Sequence, residues 1–187
     1  QCETEFLNGV TSTAEHTLGF IIALLRNYKT ALNEPYKDRE KYKGHTLAGK
    51  TLGVIGHGRV GSQVAMRAMA FNMNVIHNDR KYGRGDKLLS ESDIISIHIP
   101  LHGNEGFFTK EMFQQMKPTA YLINTSRDKI IERGALIWAL ENKIIAGATV
   151  DFIDDDELVH YARDHDNLIL TNHIGGATVE DMEKTEK

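Results

Sequence analysis

From Thr46 onward, short apolar runs alternate with stretches of helical spacing. Thr51–Ile55, Asn74–His77, Ile94–Ile99, Ala120–Asn124, Ile145–Val150 and Leu168–Leu170 predict strands. Val60–Ala70, Lys110–Met116 and Arg133–Glu141 predict helices, and a last helix is predicted to start near Thr178. The second crossover holds only residues 80–92, rich in Arg and Gly at its start. It predicts one short helical turn at Lys87–Ser90 and no extra strand. Upstream, Leu18, Ile21, Ile22 and Leu25 recur at helical spacing. Ser12-Thr13-Ala14-Glu15 precedes them as a capping box, in which Ser12 bonds the Glu15 N–H and Glu15 reaches back. This helix is expected to run to about Leu32, before Pro35. The polar, lysine-rich arm from Asn33 to Gly44 reads as a solvated, mobile linker.

Strands alternating with helices define an α/β chain: a parallel sheet covered on both faces. Right-handed crossovers make it doubly wound. Ligands of such sheets sit beyond the C-terminal strand ends, at the point where strand order reverses. Asp79, Pro100, Arg127, Asp151 and His173 each follow a predicted strand. One sheet edge is therefore expected to gather an acid, a guanidinium and an imidazole.

The first strand runs directly into Gly56-His57-Gly58-Arg59-Val60-Gly61. Gly56 permits the tight turn, Gly58 lets the backbone approach a pyrophosphate, and Gly61 lets the helix pack on the sheet. The helix N-terminus behind them favours an anion. Asp79 lies 23 positions beyond Gly56, where an acid can bind both hydroxyls of an adenosine ribose. These features predict a Rossmann-type, dinucleotide-binding domain. Asp79 favours NAD over NADP by repelling a 2′-phosphate, although Arg80 and Lys81 beside it could accept one.

Composition narrows the class further. The 187 residues suit one domain or one with a small appendage, and 41% hydrophobic content can form a core. A net charge of −4 without a long basic run argues against general nucleic-acid binding. Cys2 is the single cysteine, so no intramolecular disulfide forms, which is compatible with a cytoplasmic setting. The longest apolar run, Leu18–Leu25, is interrupted by Gly19 and too short to cross a bilayer; no signal peptide is visible. A first residue of Gln1 rather than Met suggests a fragment or a processed chain.

Arg127 can hold a carboxylate through two parallel charge-assisted bonds, or pair with Asp128 or Glu132 instead. His173, followed by Ile174-Gly175-Gly176, is a candidate for proton transfer near neutral pH. Asp151 could accept a bond from a nicotinamide amide. Asp154-Asp155-Asp156-Glu157 reads as a solvated loop, of which one carboxylate could orient His173. His57, in the phosphate loop, is expected to face solvent or cofactor, and His45, His77, His98, His102, His160 and His165 carry no comparable context. No metal site is expected.

In order, these segments resemble the NAD-dependent D-isomer-specific 2-hydroxyacid dehydrogenases. The resemblance is carried by Thr13-Ala14-Glu15-His16-Thr17, Leu47–Gly53, Gly56–Gly61, His98-Ile99-Pro100-Leu101, Asn124-Thr125-Ser126-Arg127, Ala146-Gly147-Ala148 with Asp151, and His173–Gly176. It implies that Arg127 grips the substrate carboxylate and that His173 is the acid/base. The acid holding that histidine falls on Asp156, with Glu157 one step away. Cofactor contacts fall on Gly56, Gly58, Arg59, Val60, Gly61, Asp79, Ile99, Thr125, Arg127, Asp151, His173, Gly175 and Gly176, with Pro100 and Ser126 in the same segments. Asp128 replaces the usual glycine after the arginine and could compete with substrate for Arg127. Asp156-Glu157 replaces the usual glutamate–proline pair.

The resemblance divides the chain into residues 1–46, a helix and extended arm like those used for dimerisation, and residues 47–187, the Rossmann domain. The family's substrate domain is absent. The reading is the NAD-binding, catalytic-residue-bearing domain of a homodimeric, cytoplasmic dehydrogenase. It would act on a small 2-hydroxy or 2-keto acid, with neither nucleic-acid nor membrane partners. The alternative is an NAD(H)-sensing, dimerising regulatory module with weak or no catalysis. A third, weaker reading is the NAD domain of another enzyme sharing the fold, such as a formate-type enzyme.

Overall fold

The strands are buried on both faces, and alternation of side chains along them assigns each apolar one to one of two helical layers. The computed structural model describes residues 11–33, 39–78, 85–152 and 155–185. Six parallel strands, β1 (Thr51–Ile55), β2 (Asn74–Asn78), β3 (Ile94–Ile97), β4 (Tyr121–Asn124), β5 (Gly147–Val150) and β6 (Leu168–Leu170), lie in the order β2-β1-β3-β4-β5-β6. The chain steps from β1 outward to β2, then crosses back to β3 on the other side of β1. That reversal between β1 and β3 is the switch point where a doubly wound sheet opens a crevice.

On one face Leu52, Val54, Ile94 and Ile123 pack against α1 (Ser12–Leu25) and α3 (Arg59–Ala70), through Leu18, Ile21, Val64 and Ala68. On the other face Ile55, Ile95, Ile97, Leu122, Ala148 and Val150 meet four further helices. These are α4 (Gly85–Glu91), α5 (Lys110–Gln114), α6 (Ala135–Glu141) and α7 (Asp156–Asp164). Each fully buried Leu, Ile or Phe stabilises such a layer by about 1.5–3 kcal/mol relative to exposure. The α/β, doubly wound reading therefore holds, and all six predicted strands are present. The third is shorter than the Ile94–Ile99 expected. Its pairing stops at Ile97, so His98, Ile99 and Pro100 form a loop at the sheet edge.

Several local expectations need correction. The first helix does not run to Leu32. It ends at Leu25 and a separate α2 (Tyr28–Asn33) follows, because Asn27 takes a left-handed conformation, φ 52°. Asparagine tolerates that conformation, and its Nδ2 donates to the Lys43 carbonyl at 2.9 Å. The Ser12 capping box does not form. Thr11 occupies the N-cap position, its carbonyl accepts the Glu15 N–H at 3.1 Å, and its hydroxyl bonds Glu15 Oε1 at 2.6 Å. Ser12 is drawn inside instead, where its N–H donates to Asp181 Oδ2 at 3.1 Å. Of the arm, Arg39–Tyr42 forms an exposed 3-10 turn and His45 is tied to α1 by its N–H on the Leu25 carbonyl, 2.7 Å; residues 34–38 lie outside the described residues.

The second crossover contains α4, longer than the single turn expected, and no strand among its described residues. The acidic run, expected as a loop, starts a helix. Asp155 is the N-cap of α7 and accepts the Glu157 N–H at 2.9 Å, with Asp156 and Glu157 in the first turn; Asp154 is outside the described residues. Carboxylates are favourable there because the first-turn amides lack partners within the helix. At the far end of α7, the Lys29 ammonium of α2 donates to the carbonyls of Ala162, His165 (2.7 Å) and Leu168 (2.9 Å). A cation at a helix C-terminus is the matching half of the same electrostatic rule. The last helix, α8 (Val179–Thr185), begins one residue after Thr178.

Candidate active site and cofactor cleft

The glycine turn after β1 has the shape its sequence requires. Gly56 has φ 92°, and a Cβ there would lie 2.5 Å from the His98 carbonyl oxygen. A Cβ on Gly61 would lie 2.0 Å from the Gly56 carbonyl oxygen. Both positions exclude a side chain because backbone already fills the space. Gly58 is different: a Cβ there would meet nothing within 4 Å. The room beside Gly58 is open to the crevice, as a backbone that approaches a pyrophosphate needs. Gly58 is also the N-cap of α3, and no side chain caps that helix. Its first-turn amides suit an anion. This turn fits a dinucleotide.

A cleft of about 930 Å³ opens in front of the turn. It is lined by Gly58, Arg59 and Val60; by His98, Ile99, Pro100 and Leu101 after β3; by Thr125, Ser126 and Arg127 after β4; by Asp151 after β5; and by His173, Gly175 and Gly176 after β6. Arg127 and His173 thus share one cleft with the glycine turn. Asp79 lies outside the described residues. Asp156 and Glu157 do not line this cleft. They face a second one of about 550 Å³, with Asp128, and among the described residues no hydrogen bond or ion pair joins either to His173.

The loop after β4 is shaped by Asn124, which is fully buried. Its Oδ1 accepts the Ser126 N–H at 2.9 Å and its Nδ2 donates to the Arg127 carbonyl at 2.9 Å. Ser126 donates its hydroxyl to the Ile97 carbonyl at 2.9 Å, which ties this loop to β3. The Arg127 guanidinium is exposed and donates through Nη1 to the Ser126 carbonyl at 2.7 Å. It makes no ion pair with Asp128 or Glu132 among the described residues; Glu132 instead accepts the Lys110 N–H at 3.1 Å. Thr17 donates to the Thr13 carbonyl at 2.7 Å, so in the 3.1 Å bond between Thr17 and Thr125 hydroxyls it is Thr125 that donates.

Asp151 is 2% exposed and organises the last loop. Its Oδ1 accepts the Thr171 hydroxyl at 2.6 Å and the Ile174 N–H at 2.8 Å, and its Oδ2 accepts the Gly175 N–H at 2.6 Å. These bonds hold a turn in which His173 has φ 56°, a left-handed conformation uncommon for a residue with a side chain. Its imidazole is exposed and makes no hydrogen bond among the described residues. Such backbone persists where surrounding bonds over-determine it, and it concentrates at working sites.

Sequence reasoning missed four contributors. Thr13 and Met182 line the cleft from α1 and α8, His98 lines it after β3, and His16 lies behind Asp151. The Thr13–Thr17 and His98–Leu101 segments were the available signals, but neither spacing reveals that two distant helices close the back of the site. His98 bonds Ser96 Oγ through Nε2 at 2.8 Å. Part of the residue stays accessible, yet desolvation of its ring pushes its pKa down from 6.5 to about 4. The unfolded ring binds a proton near 6.5 while the folded ring resists until about 4, so stability is expected to fall as pH drops through that window. Urea midpoints measured across it check this: the decline should be shallower in His98→Gln than in the wild type.

A parallel sheet with this turn at its switch point is a dinucleotide-binding domain. Within that class the chain belongs to the D-isomer specific 2-hydroxyacid dehydrogenase family, whose NAD binding domain matches residues 18–175. NAD is its cofactor. D-3-phosphoglycerate dehydrogenase of Bacillus subtilis (strain 168) is 40% identical over 92% of this chain, which spans 36% of that relative. The D-lactate dehydrogenase of Aquifex aeolicus, solved with NAD and lactic acid, is 30% identical with a TM-score of 0.79, covering 95% of this chain and 63% of that one. The NAD-dependent formate dehydrogenase of Staphylococcus aureus, solved with NAD, is 31% identical with a TM-score of 0.85, covering 96% and 59%. The chain therefore spans roughly one to two thirds of the lengths of these relatives. No helix among the described residues is long and apolar enough to cross a membrane.

Proposed function

We propose that this domain serves a dehydrogenase that interconverts a 2-hydroxy acid and its 2-keto acid. The observation that carries the reading is the shared cleft: among the described residues, an Arg127 guanidinium without an ion pair and an unbonded His173 imidazole stand on the rim that holds the glycine turn. Bound NAD would supply the hydride acceptor. Arg127 would hold the substrate carboxylate through its planar fork. His173 would take the hydroxyl proton during oxidation and return it during reduction. Arg59, Val60, Ile99, Pro100, Thr125, Ser126, Asp151, Gly175 and Gly176 would contact cofactor. Asp156 or Glu157 would orient His173, which requires the first turn of α7 to move toward the cleft.

The second wall of the substrate pocket would come from a domain outside this chain. Homodimerisation through the N-terminal helix and arm is part of the same proposal, supported by exposed Tyr28 and Leu32 on α2. So is a cytoplasmic setting. Asp79 would select NAD over NADP.

Turnover of NADH by the protein with its substrate domain, measured across a panel of 2-keto acids, tests the reading. Consumption of at least one acid is expected, with NADPH bound more weakly. NADH binding without consumption of any acid would instead favour an NAD(H)-sensing module. The lack of a carboxylate on His173 among the described residues is the observation that suits that second reading.

A further inference from the structure

Asp151 carries a buried charge with an incomplete shell. Three donors reach its carboxylate, two on Oδ1 and one on Oδ2. A carboxylate offers about four acceptor sites, so one remains open, on the Oδ2 side. No Lys or Arg pairs with it among the described residues. The one basic side chain within ion-pair reach among them is His16 of α1, whose Nε2 lies 3.7 Å from Oδ1.

His16 is unsatisfied in a complementary way. Its Nε2 is buried and has no hydrogen-bond partner among the described residues. A buried donor left unbonded is costly. The ring is held from behind by Phe20, with centroids 4.2 Å apart. In front, a Cβ on Gly175 would lie 3.4 Å from His16 Cδ2 and 2.7 Å from Asp151 Oδ2, so glycine there lets imidazole, carboxylate and loop meet. At 3.7 Å, Nε2 acts on Oδ1 as a longer electrostatic contact, because that oxygen already accepts two hydrogen bonds. Burial lowers the His16 pKa and the neighbouring Asp151 charge raises it, with burial prevailing.

We infer that His16 is a positioning residue for the nicotinamide end of the cleft: its Nε2–H, directed at Asp151 Oδ1, fixes the carboxylate so that the open side of Oδ2 faces the incoming amide and the His173 turn stays in place. The assignment rests on the cofactor reading above. His16 touches neither substrate nor cofactor; it acts through Asp151. Its effect is therefore confined to the nicotinamide half of the ligand and should not reach the adenosine half, which the turn at Gly58 serves.

The test compares NADH with ADP-ribose, which lacks the nicotinamide, by titrating both into the wild type, His16→Phe and His16→Gln. Phenylalanine keeps the ring packing and removes the donor, whereas glutamine keeps a donor. His16→Phe is expected to weaken NADH about tenfold and leave ADP-ribose unchanged. His16→Gln is expected to recover most of the loss. Equal losses for both ligands, or no loss for NADH, would overturn the assignment. Should His16→Phe fail to fold, the wild-type imidazole signal in nitrogen-15 spectra serves instead: it should move on adding NADH and stay still with ADP-ribose, and the reverse would overturn the idea. If the wild type binds neither ligand, the cofactor reading itself falls and takes this inference with it.

Discussion

Replacing His173 by alanine in the full-length protein is expected to lower turnover by about 10²–10⁴-fold while NADH affinity stays within a few-fold of wild type. The magnitude follows from what the imidazole would contribute. It stands exposed on the cleft rim, and among the described residues it makes no bond that its removal would orphan. The His173 turn is held by backbone N–H groups on Asp151, not by the imidazole, so the loop should survive the change. Steady-state NADH oxidation together with a fluorescence titration separates the two effects. Turnover that persists at the wild-type level would remove His173 from the chemistry. Loss of cofactor binding in parallel would make it a structural residue.

The second large effect separates two glycines in one motif. Gly61→Ala should cost the domain its fold, because the new methyl would lie 2.0 Å from the Gly56 carbonyl oxygen, and backbone on both sides cannot yield. Overpacking of a tight site typically costs about 1–3 kcal/mol, and a contact this short lies at or beyond the upper end. Gly58→Ala should behave in the opposite way. Its methyl meets nothing within 4 Å, so the melting temperature should barely change. The same methyl stands where a pyrophosphate would press against the backbone, so NADH affinity should fall by about tenfold or more. Thermal melts and NADH titrations of the two variants check both halves. A stable Gly61→Ala protein would mean that the turn relaxes more readily than its packing indicates. Full NADH affinity in Gly58→Ala would move the phosphates elsewhere.

The legible part of this chain was the part written in short-range patterns. Short apolar runs such as Leu52–Ile55 and Leu122–Ile123 marked the strands because helical layers bury both faces of the sheet. The glycine turn was legible because backbone clashes, not partners, dictate its residues. What escaped was set by contacts distant in sequence. α7 was hidden because an acidic run looks like a solvated loop until Asp155 is seen bonding the Glu157 N–H. The break after Leu25 depends on Asn27 reaching the Lys43 carbonyl. His16 stood in the Thr13–Thr17 segment with no role of its own until the fold set it 3.7 Å from a buried carboxylate 135 positions later. Asp156 and Glu157, assigned through the resemblance by their spacing from Arg127, line a neighbouring cleft at the start of α7, a placement that spacing along the chain does not reveal.

The bond from the Ser12 N–H to Asp181 joins the first described helix to the last. Asp181 is buried at this junction, and Thr13, His16 and Thr17 occupy the turn of α1 just beyond it. Opening of α8 should therefore free the Ser12 N–H at the start of α1. Fraying at α8 would release the α1 turn that backs Asp151 and Thr125, so local melting at the periphery would be felt as a loosened grip on the nicotinamide.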